Sequence, residues 1–186
     1  MTKLQYKSAC VPTSSNVTPD SNHSNSSQST KVIALTKSAI VVALYVTITI
    51  ALAPISYGVI QCRLSEMLNF LALHNKRYII SITVACAIAN IFSFGPIDMV
   101  VGSLASFVFL WIGRIICNKI QNHIVKYATF AVIFSVGMFP IAIELKAMYN
   151  MPFFATWLSL GLGELVSLVL GGVVMTALGK FIDFSK

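Results

Sequence analysis

Four of the six acidic residues, Glu66, Asp98, Glu144 and Glu164, sit within or beside long apolar stretches; only Asp20 and Asp183 lie in the tails. A charge at membrane depth is costly and marks a functional site by default. Glu164 is the sharpest case: it follows Leu158-Ser159-Leu160 and precedes an uncharged run to Gly179, about 16 Å into its stretch at 1.5 Å per residue. Arg63 and Glu66 are three apart and share a helical face, within reach of an ion pair. Asn69 continues that face one turn deeper, Gln61 precedes it, and Asn90 falls in the next apolar stretch. Carboxylates accept hydrogen bonds, guanidinium donates, and amides do both. Together they form a set that reads the polar edge of a small solute. The plainer alternatives are a Glu164 that is protonated, or paired with Arg63, only to hold helices together. Asp98 would then be a helix N-cap, and Glu144 a solvated charge near Lys146.

Catalytic parts are missing from this pattern. The three histidines, His23, His74 and His123, fall in the tail or between apolar stretches, and there is no HExxH, GxSxG or paired intramembrane Asp. The four cysteines, Cys10, Cys62, Cys86 and Cys117, show no CxxC or Cys/His metal spacing, and Cys86 and Cys117 read as small packing residues. The residues therefore argue for binding, not for an enzyme or a metal site.

The elements that must position these groups are membrane helices. The chain is 56% hydrophobic and 10% charged, where soluble domains carry about 25% charged residues. Helix 1 is expected from about Lys31 to Ala53, with turn chemistry at Pro54–Gly58. Helix 2 runs from Gln61 to Leu73, and helix 3 from Tyr78 to Phe94 with a turn at Gly95-Pro96. Helix 4 covers Ile97 to Cys117, helix 5 Tyr127 to Lys146, and helix 6 Pro152 to Lys180. Helix 2 is too short and polar to count as a span by itself. It must cross, because six crossings leave only Arg63 and Lys146 of the 13 Lys and Arg on one side. The cytoplasmic side carries the excess of basic residues, so both termini are expected in the cytoplasm and the acids gather in the outer half. The net charge of +7 is spread over loops and tails, with no basic run that would hold nucleic acid. Residues 1–30, rich in Ser, Asn and Thr, read as a disordered cytoplasmic tail, and residues 31–186 as the six-helix membrane domain.

Ala53-Pro54-Ile55-Ser56-Tyr57-Gly58, followed by Gln61, Arg63, Ser65 and Glu66, resembles the QueT family. So do Ala89-Asn90, the run Asp98-Met99-Val100-Val101-Gly102-Ser103-Leu104-Ala105, and Gly161-Leu162-Gly163-Glu164. The resemblance covers about residues 32–182, and the long Ser/Asn-rich tail departs from it. These proteins are the substrate-binding (S) components of energy-coupling factor (ECF) importers assigned to queuosine precursors. The resemblance implies six helices in the cell membrane, both termini inside, and a substrate site in the outer half. It also implies two kinds of partner: a membrane coupling protein, and two ABC ATPases that use the ATP, so this chain needs no cofactor of its own. Ala39 and Ala43 match the small-xxx-small face that meets the coupling protein in the family.

The cargo it implies, a 7-deazaguanine, has a donor edge that a carboxylate accepts in two parallel hydrogen bonds. Glu164 and Glu66 are expected at that edge and at any aminomethyl cation, in an order the sequence leaves open. Gln61, Asn69 and Asn90 are expected at the remaining ring groups, with Arg63 orienting a carboxylate and Asp98 nearby. Tyr57 and Trp157 are the candidate aromatic faces, although either suits the interface belt. A different vitamin or nucleobase-like cargo on the same architecture is the near alternative. A self-sufficient proton-coupled carrier is the distant one. The chain has no ATP-binding P-loop, since Val174 stands where the motif needs Gly before Gly179-Lys180.

Overall fold

A computed structural model describes residues 21–57, 61–93 and 95–179. It divides into two units, Met1–Ala34 and Leu35–Lys186. Of the expected tail, residues 1–20 lie outside the described part, as do the expected helix ends at Phe94 and Lys180. The first unit is described only from Ser21, where helix α1 (Ser21–Ala51) begins, about ten residues before the Lys31 start expected from the polar composition.

Every described element is helical. After α1 come a single turn, α2 (Ala53–Ser56), a 3₁₀ helix (Leu64–Phe70), α3 (Leu71–His74) and α4 (Arg77–Asn90). They are followed by α5 (Pro96–Cys117), α6 (His123–Val136), α7 (Phe139–Tyr149) and α8 (Phe153–Leu178). Among the described residues, four stretches are long and apolar enough to cross a membrane: Gln28–Ala51, Pro96–Cys117, His123–Tyr149 and Phe153–Leu178. Large apolar side chains point outward all round the second unit, among them Ile80, Leu104, Val132, Phe154 and Val173. A water-soluble surface does not carry so many, and a hydrocarbon surround accounts for them. The protein is an all-α membrane protein.

Prolines punctuate the helices where the sequence reading placed turns. Pro54 lies in the first turn of α2, Pro96 opens α5, and Pro152 caps α8, positions where a missing N–H costs nothing. Expected helix 5 is the exception, because it is two helices. Pro140 cannot donate to the carbonyl four residues back, that of Val136, and the rod breaks at Gly137-Met138. The Val136 carbonyl instead accepts the indole N–H of Trp157 at 3.1 Å. Trp157 therefore serves the break in the helix. Trp157→Phe is expected to lower thermal stability by about 1 kcal/mol, the worth of one such hydrogen bond, with ligand affinity unchanged. A melting curve and a binding isotherm on one sample check both halves of this.

Expected helix 2 differs most. Its centre is a seven-residue 3₁₀ helix, and 3₁₀ runs beyond three or four residues are uncommon. Irregular backbone at membrane depth is tolerated only when protein surrounds it. Here Ser65, Glu66 and every residue from Leu68 to Leu73 are buried. Helix α8 lies so close that a Cβ on Gly171 would overlap Met67, which is how a small residue lets two backbones approach. At the lower end of the segment, the Arg114 guanidinium donates to the Ala72 carbonyl. The main core fills the space below the site with Phe70, Ile79, Ile82, Leu110, Phe130 and Leu168. The Phe70 ring lies 4.5 Å from Tyr127 and 5.4 Å from Phe130.

Candidate functional site

The 3₁₀ geometry sets the first acceptor of the site. With three residues per turn, side chains at i and i+3 eclipse one another, so Asn69 lies directly under Glu66 and its amide donates to Oε2. From α1, the Tyr45 hydroxyl donates to Oε1 at 2.6 Å. Thr49, one turn further along, hydrogen bonds Ser65 at 2.6 Å. Val41, Tyr45 and Thr49, spaced by four, form the buried stripe of α1. Glu66 is thus held through both oxygens by the protein itself.

Arg63 precedes the 3₁₀ helix in an extended conformation and turns toward α4. Its Nη1 donates to Asn90 Oδ1 at 2.8 Å, and the guanidinium stands 5.7 Å from the centre of the Tyr57 ring. Tyr57 in turn donates to the Ala89 carbonyl at 2.6 Å. Asn90 Nδ2 reaches the Asp98 carbonyl at 3.4 Å. A Cβ on Gly102 would overlap that amide nitrogen, so glycine is what lets Asn90 reach across to α5. Asp98 is not the N-cap of α5, a position held by Gly95. It lies inside the first turn, where a negative charge suits the helix dipole, and accepts from the Ser93 hydroxyl at 2.5 Å.

These groups surround a narrow cavity, about 40 Å³ by the space it leaves for the centres of water-sized molecules. Gln61, Arg63, Glu66 and Glu164 line it, with Cys86, Ser106, Phe109, Phe134, Met138, Ile141 and Leu160. Glu164 is 1% exposed, and neither of its carboxylate oxygens has a hydrogen-bond partner. The Arg63 Nε is likewise buried without one. An unpaired polar group away from water costs free energy until something pairs with it. Gln61 adds a backbone cost, since its φ of 47° is left-handed, a conformation that persists where the surroundings fix it, often at functional sites. The cavity wall carries two formal negative charges and one positive, which suits a ligand rich in donors.

Of the nine residues expected at the ligand, Gln61, Arg63, Glu66 and Glu164 meet on the cavity wall. Asn69, Asn90, Tyr57 and Asp98 stand behind them as the network just described. Trp157 is the exception, stacked 6.1 Å from Phe153 and bonded to Val136. The aromatic faces on the cavity belong instead to Phe109 and Phe134, 6.2 Å apart. Nothing distinguishes these two from other phenylalanines in apolar helices, so the sequence does not mark them as cavity residues. Tyr45 was legible in principle, being a hydroxyl in mid-span that must find a partner. Glu144 is buried as well, not solvated: it is 6% exposed. Its neighbour Lys146 lies on the exposed side of α7.

Among the described residues no group of three or more His, Cys, Asp and Glu gathers to hold a metal. Ala39 and Ala43 are exposed, on the face of α1 opposite the Tyr45 stripe.

A family model described as "QueT transporter" matches residues 35–180. The chain is also 45% identical over 157 residues to a protein of Lactococcus lactis subsp. cremoris described as "Queuosine precursor transporter QueT". That alignment covers 80% of this chain and 93% of the relative. No solved structure matches significantly.

Proposed function

The chain belongs to the QueT transporter family, and from that premise we propose that it captures a queuosine precursor of the 7-deazaguanine type for uptake. The observation that carries this reading is Glu164: a buried carboxylate on the cavity wall with both oxygens unpartnered. A guanine-type edge presents N1–H and an exocyclic amine side by side, two parallel donors for those two acceptors. Arg63 Nε, also unpartnered, is the matching donor for the ring carbonyl, and Gln61 takes the pyrrole N–H. Phe109 and Phe134 flank the ring. Glu66, with both oxygens already engaged, contributes a fixed negative charge and orientation. A base lacking one of these groups would leave buried partners unpaired, which is how such a site selects.

In this reading the protein works as the S component of an ECF-type importer in the cell membrane. The 3₁₀–α3 segment and α4 serve as the second and third of six crossings, and the basic residues keep both termini cytoplasmic. Helix α1 docks on a coupling protein through Ala39 and Ala43, and two ABC ATPases supply the energy. The exposure of that face, on a helix whose buried side is a narrow stripe, supports the docking role. Titration calorimetry of the purified full chain in detergent, with a 7-deazaguanine precursor beside guanine and riboflavin, tests the cargo. Selective tight binding of the precursor is expected. A folded protein that binds none of the three, or riboflavin best, would sink the assignment.

A further inference from the structure

Glu144 is the second glutamate whose carboxylate is buried with neither oxygen hydrogen bonded, and the cavity described above does not use it. It lies on α7 three residues beyond Ile141, which lines the cavity, and so about 4.5 Å along the axis toward the Tyr57 end. The next residue, Leu145, lines with Tyr57 a second recess that shares Gln61 and Leu160 with this cavity. The charged groups near enough to act on it are Asp98 and Arg63, and both are engaged elsewhere, Asp98 with Ser93 and Arg63 Nη1 with Asn90. Lys146 is exposed, about 200° round the helix from Glu144 at 100° per residue. A buried carboxylate with no partner is costly to keep, and pairing with a cation that arrives with the ligand removes that cost.

We infer that Glu144, backed by Asp98, is the acceptor for a primary ammonium group on the ligand, beside the cavity and apart from the edge-binding Glu164. This rests on the deazaguanine reading above and divides the labour among the acids. Glu66 is held by Tyr45 and Asn69, and Glu164 faces the two donors of the ring edge. Glu144 is left with four open lone-pair sites for an ammonium with three N–H donors. Asp98, committed to Ser93 through one oxygen, has acceptor capacity left for the same group.

The test compares 7-aminomethyl-7-deazaguanine with its uncharged 7-cyano counterpart on the full chain in detergent. The wild type is expected to prefer the amine. Glu144→Gln is expected to weaken binding of the amine at least about 30-fold and of the nitrile less than about 3-fold, as when one partner of a buried charge pair is removed. Glu144→Asp, which keeps the charge on a shorter arm, is expected to fall between and serves if the Gln variant does not fold. Equal losses for the two ligands, no loss for either, or a wild type that prefers the nitrile overturns the assignment of Glu144 alone. A wild type that binds neither ligand overturns the deazaguanine reading and this assignment with it.

Discussion

Glu164→Gln is expected to weaken binding of the deazaguanine ligand at least about 100-fold while leaving the ligand-free protein as stable as before, or more so. The two effects have opposite signs because they concern the same two oxygens. In the empty cavity those oxygens have no partner, and a buried carboxylate without one is a liability that a neutral amide reduces. In the proposed complex they accept from two ring donors. Glutamine replaces one acceptor by an N–H that faces another N–H, losing a charge-assisted pair and adding a clash of donors. Two such bonds at about 1.5–3 kcal/mol each correspond to about 10² to 10⁴ in affinity. Calorimetry and a thermal melt on the same preparation read both quantities. A variant that still binds tightly would make Glu164 a structural group, and one that melts well below the wild type would mean an unseen partner holds it.

The second large effect is expected at the opposite end of the functional chain. Ala43→Trp, or Ala39→Trp, places a bulky ring on the exposed face of α1, half a turn from the stripe that touches the bundle. Ligand affinity should stay within about 2-fold, because exposed substitutions of this kind rarely disturb the fold. Uptake by cells or by reassembled transporter should fall to background, since a close helix–helix seam in lipid depends on small residues. Co-purification of the coupling protein reads assembly directly. Loss of ligand binding itself, or uptake at the wild-type rate, would remove the docking role from this face.

The parts of this architecture that follow from composition were legible without coordinates. Long apolar stretches with proline at their start give α5 and α8 nearly to the residue, because an apolar span and a proline break are both local properties. Glu164 was legible for the same reason, as a charge in a hydrocarbon run has no local excuse. What escaped were features decided by partners far away in sequence. The 3₁₀ winding of Leu64–Phe70 reads as an ordinary short helix, and only the close approach of Gly171 to Met67 indicates how tightly it is enclosed. The division of expected helix 5 was announced by Gly137 and Pro140. Its consequence, an indole from α8 completing a carbonyl on α6, was not. Trp157 reads equally as a ligand face or a belt residue, because an aromatic at the membrane interface looks the same whether it faces a cavity, a lipid or a backbone. Phe109 and Phe134 show the converse, since a ring that lines a cavity carries no mark of it in the sequence.

The enclosure of the 3₁₀ segment also bears on how the chain is made. Residues 64–74 are made before α8, which packs closely over them and follows every other described element in the chain. Seven residues at about 2 Å each followed by a single turn of α3 fall short of the about 20 apolar residues by which a hydrocarbon span is recognised. They carry Glu66 and Asn69 as well, so they offer the insertion machinery little to recognise. Tyr45 and Thr49 on the already inserted α1 are the partners available at that stage, and their hydrogen bonds to Glu66 and Ser65 hold the polar segment against a finished helix. The bond that orients an acid in the mature cavity is thus one that α1 can offer as a mooring before α8 is made. A chain stopped before Phe153 would keep that mooring, lack its cover, and be a natural target for membrane quality control.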